Sequence, residues 1–218
     1  KLFWDASAES LGIGTSSPSQ KLDVNGTIVA STTASQGARI ERNGTTGGAN
    51  FDSVLASGSL HFRTGATERM RIDSAGHVTM PYQSAFSAKR NGTLTNAAND
   101  SYISFVTEAF DQNSDFSGDT FTAPVSGRYQ FNFISWVSQI DKDSNWVRFT
   151  LETSNQVINS NIIDPGVFAS DPAYWNFTIA HLADMDAGDT AKIQFEFDGG
   201  VAQADISGHS YFSGYLVA

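Results

Sequence analysis

Residues 120–133 read TFTAPVSGRYQFNF, and their last six, Arg128-Tyr129-Gln130-Phe131-Asn132-Phe133, alternate strictly between polar and apolar. A period of two puts Tyr129, Phe131 and Phe133 on one face of an extended chain and Arg128, Gln130 and Asn132 on the other. Pro124 and Gly127 bracket a turn into this strand. The pattern repeats downstream. Val147, Phe149 and Leu151 alternate with Arg148, Thr150 and Glu152; Trp175, Phe177 and Ile179 with Asn176 and Thr178; Ile193, Phe195 and Phe197 with Lys192, Gln194 and Glu196. Turn chemistry separates the segments, as in Ala187-Gly188-Asp189 before the Ile193 strand. Half-buried strands in series, punctuated by Gly, Pro, Asn and Asp, predict an all-β sandwich or jelly roll.

Composition agrees over the whole chain. Of 218 residues 17% are charged and 12% aromatic, and helix-forming runs rich in Glu, Lys and Leu are absent. There is no cysteine, so no disulfide, thiolate zinc site or iron–sulfur cluster can form. The net charge of −10 argues against nucleic acid, which is met by a basic face. No apolar run approaches the roughly 20 residues of a membrane-spanning helix, so membrane insertion is not expected. The chain starts at Lys1 with neither Met nor a signal-like apolar run, and reads as an internal or truncated piece.

Two regions differ in chemistry. Residues 1–83 hold seven basic and seven acidic residues, leaving six and sixteen for 84–218. Five of the 26 aromatic residues precede position 84. The second region can therefore build a large core and the first cannot. The first consists of short alternating segments with turn signals. Leu11-Gly12-Ile13-Gly14 leads into the loop Thr15-Ser16-Ser17-Pro18. Lys21–Val24 is followed by Asn25-Gly26, a hairpin turn by its chemistry, and then Thr27-Ile28-Val29. A related unit recurs later, with Arg69–Asp73, the turn Ser74-Ala75-Gly76, and His77–Met80. Between them lie Ala38–Arg42, the turn Asn43-Gly44, and Ser59–Arg63. Such thin strands bury too little apolar area to offset chain entropy alone, but three copies around one axis would. Residues 1–83 are therefore expected to form a β-rich oligomeric fibre stalk; the alternative is a flexible linker with incidental β patterning.

Both regions resemble known families. LGIGTSSPSQKLDVNG and TERMRIDSAGHVTM are similar to short repeats of bacteriophage tail-fibre and other virion-fibre proteins. That resemblance covers about 11–29 and 67–80 and implies elongated, host-facing homotrimers. Over 84–218 the chain resembles the C1q globular domain of the C1q and tumour-necrosis-factor superfamily. AFSAKR at 85–90, TFTAPVSGRYQFNF at 120–133, HLADMDAGDTAKIQFEF at 181–197 and SYFSGYLV at 210–217 fall in the family's order. The motif Phe-x-Ala-Pro-x-x-Gly-x-Tyr-x-Phe is met by Phe121, Ala123, Pro124, Gly127, Tyr129 and Phe131. Leu182, Gly188 and Asp189 meet the next element, and Phe212 to Leu216, with Gly214 at its centre, the last. The resemblance implies a ten-strand jelly-roll head, packed as a trimer, that binds rather than catalyses. A collagen stalk is absent; the β-rich segment stands in its place.

Chemical sites are sparse. His61, His77, His181 and His209 have no zinc-motif spacing, and there is no Gly-x-Ser-x-Gly nucleophile elbow, so no catalytic residue is expected. Asp141, Asp143, Asn145 and Glu152 imitate a calcium loop, but Trp146 stands where that loop needs Gly. Asp141 and Asp143 nevertheless make calcium a candidate ligand at the end of the sandwich, as do Asp184, Asp186 and Asp189; no other cofactor is expected. The sequons at Asn25, Asn43, Asn91, Asn99 and Asn176 are read as turn or strand chemistry. Trp136, Trp146, Tyr174 and Trp175 lie near predicted strand ends or loops, where a ring face meets a sugar. Tyr174 and Trp175, beside the long loop at about 164–173, are the candidate receptor-binding residues.

The expected function is a structural virion fibre, on a phage tail or capsid, at the extracellular virion surface. Its partners would be two copies of itself, other virion proteins on its N-terminal side, and a host-surface glycan or protein at the head. The alternatives are a bacterial secreted adhesin or filament subunit of the same architecture, and a polysaccharide-degrading tailspike. The last needs paired acids in a groove, which no single predicted face supplies.

Overall fold

Tyr129, Phe131 and Phe133 are each at most 3% exposed, and their strand is the longest among the described residues. A computed structural model describes residues 2–33, 36–43, 48–53 and 57–218, with side chains at 2–28 and 57–218. The chain divides into two compact units, Lys1–Pro81 and Tyr82–Ala218.

In the first unit, strands β1 (Leu2–Asp5), β2 (Ser10–Ile13) and β3 (Leu22–Val24) form one sheet. Strands β4 (Ile28–Thr33), β5 (Gln36–Asn43) and β6 (Gly48–Ser53) form a second, and β7 (Leu60–Thr64), β8 (Thr67–Ile72) and β9 (Val78–Thr79) a third. The Ser74–Gly76 turn closes a hairpin, with Asp73 Oδ1 accepting from the Ala75 and His77 amides, both at 2.9 Å. The Asn25-Gly26 expectation is corrected. β3 runs parallel to β2, and β4 pairs with β5 instead of turning back on β3. The Asn25 amide extends the parallel ladder by donating to the Ile13 carbonyl at 2.9 Å. Gly14 makes room for that exit: at φ +81°, an added Cβ would lie 2.6 Å from the Asn25 carbonyl oxygen. The expected Asn43-Gly44 turn lies, at Gly44, outside the described residues. Among the described residues, no apolar side chain before Phe86 is buried.

The second unit is a sandwich of two antiparallel sheets. The first contains β10 (Ala85–Lys89), β12 (Thr107–Asp111), β15 (Gly127–Ser138), β18 (Trp175–Met185) and β21 (Tyr211–Leu216), in the order β12-β10-β21-β15-β18, with β20 (Asp205–Ile206) on the end of β15. The second contains β13 (Phe116–Ser117), β14 (Thr120–Thr122), β16 (Ser144–Thr153), β17 (Val157–Asn159) and β19 (Thr190–Gly199), in the order β13-β14-β19-β16-β17, with β11 (Ser101–Tyr102) on β19. Non-sequential neighbours in both sheets give the jelly-roll character. The core is aromatic. Phe86 stacks on Phe116 and Phe121 at centroid distances of 4.5 and 5.2 Å, while Phe212 touches Phe86, Phe105, Phe116 and Phe131.

The motif residues knit this core to its edges. The Tyr129 hydroxyl donates to the Val125 carbonyl at 2.7 Å, closing the Pro124–Gly127 turn. Burial pushes the Tyr129 phenol pKa up against that hydrogen bond, and the charge of Asp115 adds to the rise. The Ala123 amide donates to the Asp189 carbonyl, and the Gly188 amide to the Ala123 carbonyl, both at 2.8 Å. Gly188, at φ +93°, turns the chain there. The Asp189 carboxylate accepts from the Asp186 amide at 2.8 Å and from Asn155 at 2.6 Å, which is a turn-shaping role.

Candidate functional site

The outward face of the first sheet is apolar in rows. The register sets Leu182, Gln130, Tyr215 and Ala85 side by side, then an outward row of Ala180, Asn132, Ser213 and Ser87, and beyond it Thr178, Ile134, Tyr211 and Lys89. Trp136 continues the face opposite Asn176. Leu182, Tyr215, Ile134, Tyr211 and Trp136 are all exposed, between 39% and 51%. Five large apolar side chains exposed on one sheet face of an otherwise acidic domain suit an interaction face.

At the Trp136 end the surface deepens into a concavity of about 490 Å3 lined by Trp136, Tyr174, Trp175 and Asn176. Tyr174 is 79% exposed. Trp175 points inward with Phe177 and Ile179, packs on the core and meets the Phe168 ring at 5.5 Å. It forms a wall of the concavity while staying partly buried. Trp136 stands against the His209 ring at 5.7 Å. Asn176 donates to the Ser135 carbonyl at 3.1 Å, fixing one rim.

The loop that presents Tyr174 is anchored. Asp164 caps the short 3-10 turn Pro165–Val167 through the Gly166 amide at 2.9 Å. Asp171 accepts from the Lys142 amide at 3.0 Å and from Gln203 at 2.6 Å. The Lys142 bond and then the Gln203 bond hold its carboxyl below the ordinary value. Three loops are tied at one carboxylate, so the concavity is preorganised. Ring faces with few charges suit the apolar face of a sugar or an apolar side chain.

Asp141 and Asp143 have local work. Asp141 accepts from the Asp143 amide at 2.9 Å and from the Val201 amide at 2.6 Å, while Asp143 takes the Lys142 ammonium at 2.5 Å. Asp186 accepts from Ser126 at 3.3 Å, and Asp184 faces Arg128 across the ladder. Among the described residues, no group of three or more His, Asp or Glu side chains is placed to hold a metal ion. Trp146 lies within β16, where the Arg148 guanidinium carbon sits 4.8 Å from its ring centroid.

One constellation escaped the sequence. Ser59 Oγ lies 2.6 Å from His61 Nε2, and His61 Nδ1 lies 2.5 Å from Glu68. This is the hydroxyl–imidazole–carboxylate order of a hydrolase triad, on the surface of the β7–β8 hairpin with the imidazole 36% exposed. Its visible effect is to cross-link the hairpin. The signal was a Ser-x-His pair at the start of a strand, with a carboxylate just past the next turn.

With this geometry in view, the C1q domain pattern matches residues 85–217. The globular domain of zebrafish complement 1qA is 24% identical, over 62% of this chain and 98% of that one, with a TM-score of 0.48. Murine APRIL at pH 8.5 is 9% identical, over 62% and 99%, with a TM-score of 0.44. No curated protein matches.

Proposed function

The chain belongs to the C1q domain family, and on that premise we propose that it is a non-enzymatic homotrimeric virion fibre whose head binds a host-surface glycan or protein. Domains of this family commonly form homotrimers, are generally binding modules and are typically extracellular. The observation that carries the reading is the outward face of the β12-β10-β21-β15-β18 sheet. Its exposed Leu182, Tyr215, Ile134 and Tyr211 are what a self-associating surface presents. The first unit supports the same reading. Leu2, Trp4, Leu22, Phe62 and Val78 are each more than half exposed, so a stalk of these strands needs further copies to cover it. The fibre-like repeats favour a phage particle as its home. Tyr174, Trp175 and Trp136 form the proposed receptor contact, repeated three times in the assembly.

The test is sedimentation of the whole chain at micromolar concentration, followed by labelling of purified particles with antibody to the head. The expected species has about 70 kDa, three times 23.4 kDa. A monomer overturns the trimer, unlabelled particles overturn the virion assignment, and shortening of host capsular polysaccharide overturns the non-enzymatic reading.

A further inference from the structure

At the other end of β15, some 30 Å from Trp136 by strand rise, a second concavity of about 530 Å3 opens on the head. Its lining includes Tyr82, Ser84, Asn113, Asp115, Val125 and Leu216. Two polar atoms in that lining have no hydrogen-bond partner: Ser84 Oγ and Asp115 Oδ2. Ser84 is 1% exposed. A buried acceptor without a donor costs stability, and native proteins leave few of them.

The surrounding frame is fixed. Asp111 spends its carboxylate on the amides of Asp115 and Phe116, at 3.1 and 3.0 Å. Asn113 donates to the Tyr82 carbonyl at 3.0 Å, which ties the loop to the first strand of the head. The Ser84 carbonyl takes the Leu216 amide at 3.0 Å. Ser114, at φ +60°, turns the loop so that Asp115 follows a bend held in a conformation side chains rarely adopt. Thus Asp111 organises the loop while Asp115 Oδ2 is left without a hydrogen-bond partner. No Lys or Arg is in the lining. Tyr82 and Val125, 55% and 48% exposed, add apolar surface beside these acceptors.

We propose that this concavity is a saccharide site, in which Asp115 and Ser84 take hydroxyl or ammonium donors of a sugar ring that rests on Tyr82 and Val125. The volume suits one or two rings, within the roughly 300–1,000 Å3 of small-molecule sites. A carboxylate, a hydroxyl and an amide beside an aromatic ring match the two surfaces of a pyranose, one rimmed with donors and one of C–H bonds. An amino sugar fits best, because its ammonium makes a charge-assisted bond to the carboxylate. The site shares no lining residue with the Trp136 concavity, and it stands whether or not the fibre reading holds.

The experiment is saturation-transfer NMR and titration of the full chain with glucose, galactose, glucosamine and galactosamine. The amino sugars are expected to bind about tenfold more tightly than their neutral parents. In Asp115→Asn that advantage disappears, while the thermal midpoint holds or rises because an unpartnered carboxylate has been relieved. Ser84→Ala weakens all four sugars and leaves the advantage of the amino sugars in place. Absence of transfer from every sugar, an unchanged amino-sugar preference in Asp115→Asn, or a fall in that variant's thermal midpoint overturns the proposal.

Discussion

Gly214 sits directly opposite Phe131 on one side and Phe86 on the other, and a methyl at Gly214 would lie 2.6 Å from the Phe131 ring and 2.8 Å from that of Phe86. The missing side chain lets two buried rings close over the central strand of the sheet. Neither ring can retreat, since Phe131 stacks on Phe212 at 5.8 Å and Phe86 on Phe116 at 4.5 Å. Gly214→Ala is therefore expected to lower stability by about 1–3 kcal/mol, the usual cost of overpacking. The gain from a stiffer unfolded chain, about 0.4–1 kcal/mol, does not offset this. Urea unfolding at fixed protein concentration reads the difference, and an unchanged midpoint would show that the rings yield.

Tyr129 makes a prediction with a sign in pH. Its hydroxyl holds the Val125 carbonyl inside the first turn of β15, so Tyr129→Phe should cost about 1–2 kcal/mol at neutral pH. Burial, the strongest of its influences, raises the phenol above its ordinary value of 10.0. A raised folded pKa means a contribution fully present below the unfolded value and lost as pH climbs through the folded one. The wild type should lose stability above about pH 10, and the Phe variant should lose less there. Parallel alkaline limbs in thermal melts would contradict this.

The second sheet carries the opposite case. Arg148 grips Glu196 through Nε at 3.0 Å and Nη2 at 3.1 Å, and Thr150 donates to the same carboxylate. Burial pushes the Glu196 pKa up, but the Arg148 and Thr150 bonds outweigh it and the net shift is downward from 4.5. A depressed folded pKa contributes stability above the unfolded value, and that contribution fades as pH falls through the folded one. Glu196→Gln should lower stability at neutral pH and flatten the decline below pH 4.5. Equal acid limbs in the two proteins would place that decline at other carboxylates.

The parts of this fold legible in the sequence are those governed by local period. Alternation at 128–133, 147–152 and 193–197 assigned the core-facing side correctly, but Thr150, read as outward, is 1% exposed because its hydroxyl is held between Asn159 and Glu196. Turn chemistry was less decisive. Asn25-Gly26 fits a hairpin, yet the pairing of β2 with β3 is decided by a loop returning the chain parallel, which no dipeptide encodes. The Tyr174 site was half legible: an exposed ring on a long loop could be named, but its neighbour Trp136 comes from a strand whose register is non-local. Ser84 and Asp115 stood no chance, since what marks them is that Ser84 Oγ and Asp115 Oδ2 find no hydrogen-bond partner once the segments meet. Ser59, His61 and Glu68 had a local signal, but a Ser-x-His pair is common and only the closed β7–β8 hairpin brings Glu68 to His61.

The proposed trimer face and the proposed receptor contact can be separated by two substitutions. Leu182→Lys places a charge in the apolar rows of the sheet face, while Leu182 itself is 48% exposed and so its loss leaves the core intact. It should yield folded monomer in sedimentation. Tyr174→Ala removes a ring that is 79% exposed and lies outside those rows, so the trimer should persist. One ring stacked on a ligand contributes about 0.5–1.5 kcal/mol, a loss of roughly two- to twelvefold at a single site. If three heads engage one surface together, a threefold loss per site compounds to roughly thirtyfold in avidity. Cell-binding curves for the two variants should thus both weaken, but only Leu182→Lys should change mass. Undiminished binding by trimeric Tyr174→Ala would remove the concavity from the receptor contact.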